Sequence, residues 1–184
     1  MKSVLISIQP KWCELIASGK KTVEVRKTKP KLDVPFKVYI YCTNNKDMLW
    51  ILKESKRESR RKIASIFTAK DVGGATKANG KVIGEFVCDK LVWVVSHPSI
   101  FAGHDLFFKQ AIEDACLTQD EVEKYSGGKD VYGWHISDLV IYDKPRELSE
   151  FHKPELPTGL RYEDDAITRP PQSWCYVESE VDAE

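Results

Sequence analysis

Three charged side chains have the types and spacing needed to recognise a polar ligand. They are Lys21, Glu24 and Arg26, within the stretch SGKKTVEVRK that spans residues 18–27. The cations offer hydrogen-bond donors to a phosphate or a base carbonyl, and the glutamate offers an acceptor. A planar guanidinium suits bidentate contacts, and a carboxylate can accept from an exocyclic amine such as that of cytosine. The alternative is a structural ion pair, either on a solvated edge or internal, that only orders the chain locally and contributes little to stability.

The segments before these residues predict a strand followed by a helix. KSVLISIQ, residues 2–9, alternates with the period of a β-strand. Pro10 suits the first turn of a helix, and Gly19 suits its C-terminal end. The candidate site therefore begins where a helix ends.

A second strand is predicted to display two of the three charged side chains. TVEVRK, residues 22–27, alternates with period two, so its valines face one side and Glu24 and Arg26 face the other. Lys21 lies at the junction between helix and strand, where the pleat does not define its direction.

Most of the remaining chain is predicted to be β-structure. Strands are expected over residues 36–43, 81–97, 132–145 and 173–178. Gly84, inside one of them, indicates a bulge or a close backbone approach. Two short helices are expected within 98–130, the second opening at Thr118 with a capping box. Several strands with few helices between them favour an α+β, mainly β fold: a small mixed or antiparallel β-barrel with short helices at its rim.

Residues 44–79 interrupt the strand pattern. MLWILKESKRESRRKIASIF within this segment predicts a helix, and DVGGATKANG predicts a flexible loop. From Lys46 to Lys62 the chain has seven basic and three acidic residues. Either a solvated surface helix or a nucleic-acid contact would explain this local excess.

The overall composition indicates one globular domain over residues 1–184. Lysine plus arginine and aspartate plus glutamate number 28 each, so the net charge is zero. Strong, sequence-independent binding of a long polyanion would require a basic excess. No apolar run has the length of a membrane span, and the N-terminal residues do not resemble a secretory signal. We therefore expect a cytoplasmic protein with no membrane partner.

The cysteines and histidines do not predict a metal site or a disulfide framework. The five cysteines are widely spaced and form no CxxC pair, and the four histidines lack helical ligand spacing. We expect no metal and no other cofactor, and cysteines that pack as small apolar residues. The oligomeric state is not predicted.

With its register written out, GKKTVEVR reads G-x-K-x-x-E-x-R and resembles the signature of the ASCH domain, a relative of the PUA-like β-barrels associated with RNA. The blocks SIQPKWCELIASGKKTVEVRK, KVIGEFVC, WHISDLVIYDKP and PPQSWCYVE resemble those of longer bacterial and phage members of the family, in the same order. The four blocks comprise 50 of the 184 residues, and residues 44–79 and 98–130 are variable inserts.

The resemblance implies binding of RNA or of a nucleotide or nucleoside in a cleft of a PUA-like barrel. Its expected contacts are the motif side chains, two tryptophans for stacking and two serines as lesser polar partners: Lys21, Glu24, Arg26, Trp134, Ser137, Ser173 and Trp174. Trp12 is a further candidate for stacking, ranked after the other two tryptophans. RNA recognition of this kind stacks unpaired bases on aromatic rings.

The resemblance also implies an enzymatic alternative. A small branch resembling this family hydrolyses the acetyl amide of modified cytidines with a lysine, a threonine and a glutamate. Lys21 matches that lysine and Glu85 the glutamate, but Glu24 stands where the threonine is expected. The hydroxyl nucleophile is then missing at that position. Thr22 and Thr43 are nearby candidates for it, although nothing in the sequence places either of them, and Glu24 could serve as a general base for water. Two further hypotheses are a ribonuclease, since that activity is linked to some members, and a protein-interaction domain.

Overall fold

A computed structural model describes residues 2–52, 64–66, 75–94, 105–155, 158–159 and 165–178. The elements in chain order are β1 (Lys2–Ile8), α1 (Pro10–Ala17), β2 (Val23–Arg26), β3 (Phe36–Cys42), β4 (Leu49–Leu52), β5 (Ala64–Ile66), β6 (Ala75–Lys77), β7 (Lys81–Cys88), β8 (Leu91–Val94), α2 (Asp105–Asp114), α3 (Gln119–Ser126), β9 (Val131–His135), β10 (Ser137–Arg146) and β11 (Trp174–Glu178). A 3-10 helix, Leu148–Glu150, follows β10.

The strands form three sheets within the described part of the chain. The largest has the order β10-β7-β3-β1-β11, and two smaller ones have the orders β2-β9-β8 and β5-β4-β6. β1 pairs with β3 in parallel, and the other named pairs are antiparallel. The expected α+β, mainly β architecture with short helices is confirmed.

The middle of the largest sheet is buried on both faces. Val4, Ile6 and Ile8 of β1 belong to the largest apolar cluster, together with residues of α1, β3, β4 and β7. Leu5 belongs to a different cluster, with Tyr39 of β3. β1 is thus a core strand with no solvated face, and its end, next to α1, is held firmly by packing on both sides.

Local signals correctly predicted several elements. β1, α1 and β2 occupy the expected segments, and Gly19 follows α1 with a φ of +72°. α3 begins with the expected capping box, in which Thr118 and Glu121 exchange hydrogen bonds. Each of these features depends on residues close together in the chain.

The helix expected across MLWILKESKRESRRKIASIF is wrong at both ends. Leu49–Leu52 and Ala64–Ile66 are antiparallel partners in a sheet, while residues 53–63, with most of the basic excess, lie outside the described residues. The loop expected over 71–80 contains β6 in its described part, which pairs with β4. A short apolar run is compatible with either a helix or a strand. Here the pairing of β4 with distant segments determines that the run is a strand.

Two segments predicted as single strands each divide in two. Residues 81–97 contain β7 and β8, and residues 132–145 contain β9 and β10. In each case the two strands belong to different sheets. The backbone N–H of Ile136, between β9 and β10, donates to the Thr22 carbonyl oxygen over 2.8 Å. This bond holds the chain between β9 and β10 next to the start of β2.

None of the helices that the structure describes has the length and apolar character that crossing a bilayer requires.

Gly84 lies where β7 passes very close to β10. A Cβ atom at this position would be 2.3 Å from the Val140 carbonyl oxygen and 3.1 Å from the Ile141 Cα. The pairing of β3 with β7 also shifts register beside Gly84. The predicted bulge and close approach are both present.

We expect Gly84→Ala to lower the free energy of unfolding by about 1–3 kcal/mol, because backbone atoms must move to admit the methyl group. Urea denaturation followed by circular dichroism measures the change. Val140→Ala, at a half-exposed neighbour, should stay within about 0.5 kcal/mol. Equal stability of wild type and Gly84→Ala would contradict the close approach.

Candidate functional site

The end of α1 turns Lys21 into the protein. The backbone N–H groups of Lys20 and Lys21 both donate to the Leu15 carbonyl oxygen, over 2.9 and 3.0 Å. Gly19 makes this turn possible because its positive φ is unfavourable for other residues. Lys21 is only 3% exposed. The Lys21 side chain, whose direction the strand pattern did not define, therefore points into the protein.

The register of β2 directs Glu24 and Arg26 to one face of its sheet. Glu24 is opposite Trp134 and Arg26 is opposite Tyr132 on β9, and the two charged residues are 6% and 9% exposed. The valines of β2 pack instead against α2 and α3, in a separate apolar cluster. This alternation is the one expected from the sequence, but both faces are covered.

Lys21, Glu24 and Arg26 form a connected set of ion pairs, called the triad below. Lys21 Nζ lies 3.3 Å from Glu24 Oε2, and Arg26 Nη2 lies 2.9 Å from Glu24 Oε1. Lys21 Nζ also donates to the Ala115 carbonyl oxygen and Arg26 Nη2 to that of Ser7, both over 2.7 Å. The triad is a buried network that joins β1, β2 and the chain after α2, and it is not an exposed edge.

The triad lines a pocket of about 610 Å³. Its walls come from the end of β1, from α1, β2 and α3, and from the proline-rich segment before β11. The lining residues are Ser7, Ile8, Gln9, Trp12, Lys21, Glu24, Val25, Arg26, Thr43, Leu117, Glu121, Tyr125, Pro170, Pro171 and Gln172. Segments far apart in the chain thus converge on the G-x-K-x-x-E-x-R motif.

The pocket combines aromatic rings with polar groups of both kinds. Trp12 and Tyr125 supply rings, and Gln9 and Gln172 supply amides, each of which can both donate and accept. Lys21 Nζ lies 5.1 Å from the centroid of the Trp12 ring. Two cations and two carboxylates are among the described lining residues, so the formal charge of this lining is balanced. Such a lining suits a polar, largely neutral group better than a bare phosphate.

Arg26 has one buried donor without a hydrogen bond. Its Nε is inaccessible to solvent and makes no hydrogen bond to any residue that the structure describes. A buried donor left unpaired costs roughly 1–3 kcal/mol. The guanidinium is otherwise held by Glu24 and Ser7.

The α3 residues of the pocket are held in defined protonation states. The Glu121 carboxylate accepts from the Thr118 backbone N–H over 2.8 Å, and this bond holds the pKa of Glu121 below its ordinary value. Burial raises the pKa of Tyr125. At neutral pH Glu121 is therefore an acceptor, and the Tyr125 hydroxyl keeps its proton.

Several residues expected to contact a ligand do not line this pocket. Trp134 is 0% exposed and packs against Phe36 and Trp174, at 5.7 and 6.0 Å between ring centroids. Ser137 Oγ donates to the Val87 carbonyl oxygen over 2.9 Å, and the Ser173 carbonyl accepts from the Ser7 N–H. Trp174 Nε1 donates to Thr28 Oγ1 over 3.0 Å. In this structure these four residues have structural partners, and their ligand contacts stay predictions.

Glu85 is also not among the residues that line the pocket. Its carboxylate lies 3.2 Å from Lys37 Nζ and accepts from the Tyr142 hydroxyl over 2.6 Å. Burial, followed by this hydrogen bond, raises the pKa of Tyr142. The structure therefore brings Lys21 and Glu24 together and holds Glu85 elsewhere.

Sequence reasoning did not assign a site role to the pocket residues from distant segments. Leu117, Glu121 and Tyr125 belong to the expected insert 98–130, and residues 170–172 are the first residues of the block PPQSWCYVE. The capping box predicted that α3 exists but gave no information on where it packs. Trp12, ranked after the two other tryptophans, is the tryptophan that lines the pocket.

Residues 6–91 match the family model of the ASCH domain. The chain contains an ASCH domain. The matched range includes the whole G-x-K-x-x-E-x-R motif together with α1, β7 and the last three residues of β1. No curated protein matches the chain.

Solved structures of an ASCH protein share the fold. The crystal structure of ASCH from Zymomonas mobilis aligns with a TM-score of 0.56 and 18% identity, covering 97% of this chain and 89% of that chain. A tyrosine-to-phenylalanine variant of the same protein aligns with a TM-score of 0.57 and 18% identity, covering 97% of this chain and 91% of that chain. At this identity the likeness concerns the fold alone. Across the part of the chain that the structure describes, no group of three or more histidine, cysteine, aspartate or glutamate residues could hold a metal ion.

We expect Glu24→Gln to lower the free energy of unfolding by about 3–5 kcal/mol, because it leaves two buried cations without their counter-charge. Urea denaturation of the purified protein measures this change. Asp89→Asn is the matched control, since Asp89 pairs with His135 at 2.6 Å but is exposed, and it should cost about 1 kcal/mol or less. Similar costs for the two variants would contradict a buried triad.

Proposed function

We propose that this ASCH-domain protein binds a nucleotide or a short single-stranded RNA, and that one base with its ribose occupies the pocket. The observation that supports this proposal most directly is that the triad of the G-x-K-x-x-E-x-R motif lines a pocket of about 610 Å³. Small-molecule sites are typically about 300–1,000 Å³ and combine apolar walls with a few fixed polar groups.

The energetics of the triad favour a role in recognition. Removing charged groups from water costs several kcal/mol per ion, and a buried ion pair adds little net stability in return. A network that is costly to bury and that borders a pocket is well suited to presenting fixed donors and acceptors to a ligand. Because Glu24 is held from both sides, its carboxylate needs little rearrangement when a ligand binds.

The lining of the pocket is compatible with a nucleobase. Trp12 and Tyr125 offer rings on which a base can stack, and the amides of Gln9 and Gln172 can recognise its polar edge. The balanced charge favours the neutral base inside, with the phosphate at the mouth. A chain with zero net charge is also better suited to a short ligand than to a long polyanion. The expected cytoplasmic location agrees with such a ligand.

We expect wild-type protein to bind mononucleotides and Trp12→Ala to bind them about 1–3 kcal/mol more weakly, which is the usual contribution of one stacked base. Isothermal titration with the four ribonucleoside monophosphates measures the affinities. Trp93→Ala is the control, because Trp93 is exposed and does not line the pocket. Circular dichroism spectra verify that both variants are folded. Binding that is equally strong in Trp12→Ala and wild type would contradict this site.

An amidohydrolase acting on acetylated cytidine is the second candidate, favoured by the position of Lys21 in the pocket wall. Two observations weigh against it. Glu24 stands in place of the expected threonine and is held in ion pairs with two cations. Glu85 is held outside the pocket by Lys37 and Tyr142. The described residues that line the pocket include no histidine. A ribonuclease mechanism that uses a pair of histidines as acid and base therefore has no such pair among these residues.

We expect wild-type protein to release no acetate from N4-acetylcytidine above background, because a paired carboxylate stands where the hydroxyl nucleophile is expected. Chromatography of the nucleoside products measures the reaction. Turnover by the wild type that Lys21→Ala and Glu85→Ala both abolish, while Glu150→Ala retains it, would establish the hydrolase instead.

A further inference from the structure

We propose that a surface beside the pocket binds the backbone and the next base of a single-stranded RNA. This surface, called the rim strip, consists of Lys27, Lys29, Tyr125, Tyr132 and Trp93. The inference rests on the proposed function and extends it, since it makes the preferred ligand an RNA strand of two or more nucleotides and not a free nucleoside.

The strand register connects the pocket to the rim strip. Arg26 is opposite Tyr132, and Tyr132 is opposite Trp93, across three neighbouring strands. Residues directly opposite each other project to the same face of a sheet, and adjacent strands lie about 4.8 Å apart. One row of side chains therefore runs from the pocket wall to the β8 edge over about 10 Å.

Two exposed lysines lie beside the tyrosines of the rim strip. Lys27 Nζ is 5.1 Å from the centroid of the Tyr125 ring, and Lys29 Nζ is 5.5 Å from that of the Tyr132 ring. Tyr125 also lines the pocket, so the first lysine is beside the pocket mouth. Phosphate groups are bound mainly by such cations, and the charge-balanced lining of the pocket leaves that role to residues outside it.

The segment that presents these lysines is anchored to the protein. Thr28, between them, accepts a hydrogen bond from Trp174 Nε1 over 3.0 Å. Pro30 is buried, and Leu32 packs against the main apolar cluster. The lysine backbone positions are therefore fixed before a ligand binds, which lowers the entropy cost of forming phosphate contacts.

Trp93 provides a surface for stacking at the far end of the rim strip. Its side chain is 57% exposed, although tryptophan is normally highly buried. In single-strand binding sites, bases stack on aromatic side chains without sequence preference, and an exposed indole offers such a surface. A base that leaves the pocket and passes the two lysines would meet this ring.

The test compares a ribonucleoside monophosphate with a dinucleotide, a trinucleotide and a hexanucleotide, titrated into the full chain by fluorescence anisotropy and calorimetry. We expect affinity to rise from mononucleotide to trinucleotide. Trp93→Ala should weaken trinucleotide binding roughly five- to hundredfold. Lys29→Ala should reduce the slope of log affinity against log salt by about 0.7. Neither variant should change mononucleotide affinity.

Lys31→Ala is the matched control. Lys31 is exposed in the same segment, but its backbone N–H donates to the Tyr176 hydroxyl on β11, away from the β2-β9-β8 sheet. Oligonucleotides that bind no tighter than the mononucleotide would overturn the rim strip while leaving the pocket proposal intact. The rim strip would also be overturned if Trp93→Ala and Lys29→Ala changed binding no more than Lys31→Ala. The proposed function is tested separately: it would be contradicted if the wild-type protein did not bind mononucleotides.

Discussion

The burial of Glu24 between Lys21 and Arg26 is the interaction on which the site depends. Removing three charges from water is unfavourable unless each finds close partners. The two cations meet this requirement by also donating to the carbonyl oxygens of Ala115 and Ser7. The end of α1, the strand β2, the end of β1 and the chain after α2 must therefore meet at one point. The pocket is the space beside that point.

The same constraint separates recognition from catalysis. A general base or nucleophile must be able to change its charge during a reaction, whereas a recognition group must keep it. Glu24 is fixed by a cation on each side, and the carboxylate of Glu85 is engaged by Lys37 and Tyr142 at a different place. Stable donors and acceptors beside Trp12 and Tyr125 are what binding a base requires.

Local sequence signals predicted the elements next to the motif, but they did not predict the complete pocket. Pro10, Gly19 and the alternation of TVEVRK act within a few residues, and β1, α1 and β2 follow from them. The strand at Leu49–Leu52 depends on pairing with segments more than ten residues away, so a helical interpretation of the local sequence was wrong. The aromatic contacts show the same limit. Trp134 and Trp12 are both in matched blocks, and only their packing shows that the former is in the core.

The hydrogen bonds between the motif and the end of α2 have a consequence for how specificity can evolve. Thr22 N–H donates to the Asp114 carbonyl oxygen, and Lys21 Nζ to that of Ala115. These acceptors are main-chain atoms, so they persist whichever side chains occupy the positions. Tyr125 and Glu121 follow a few residues later on α3. Substitutions there can alter ligand preference while the anchoring of the triad stays the same, which separates the evolution of selectivity from that of the fold.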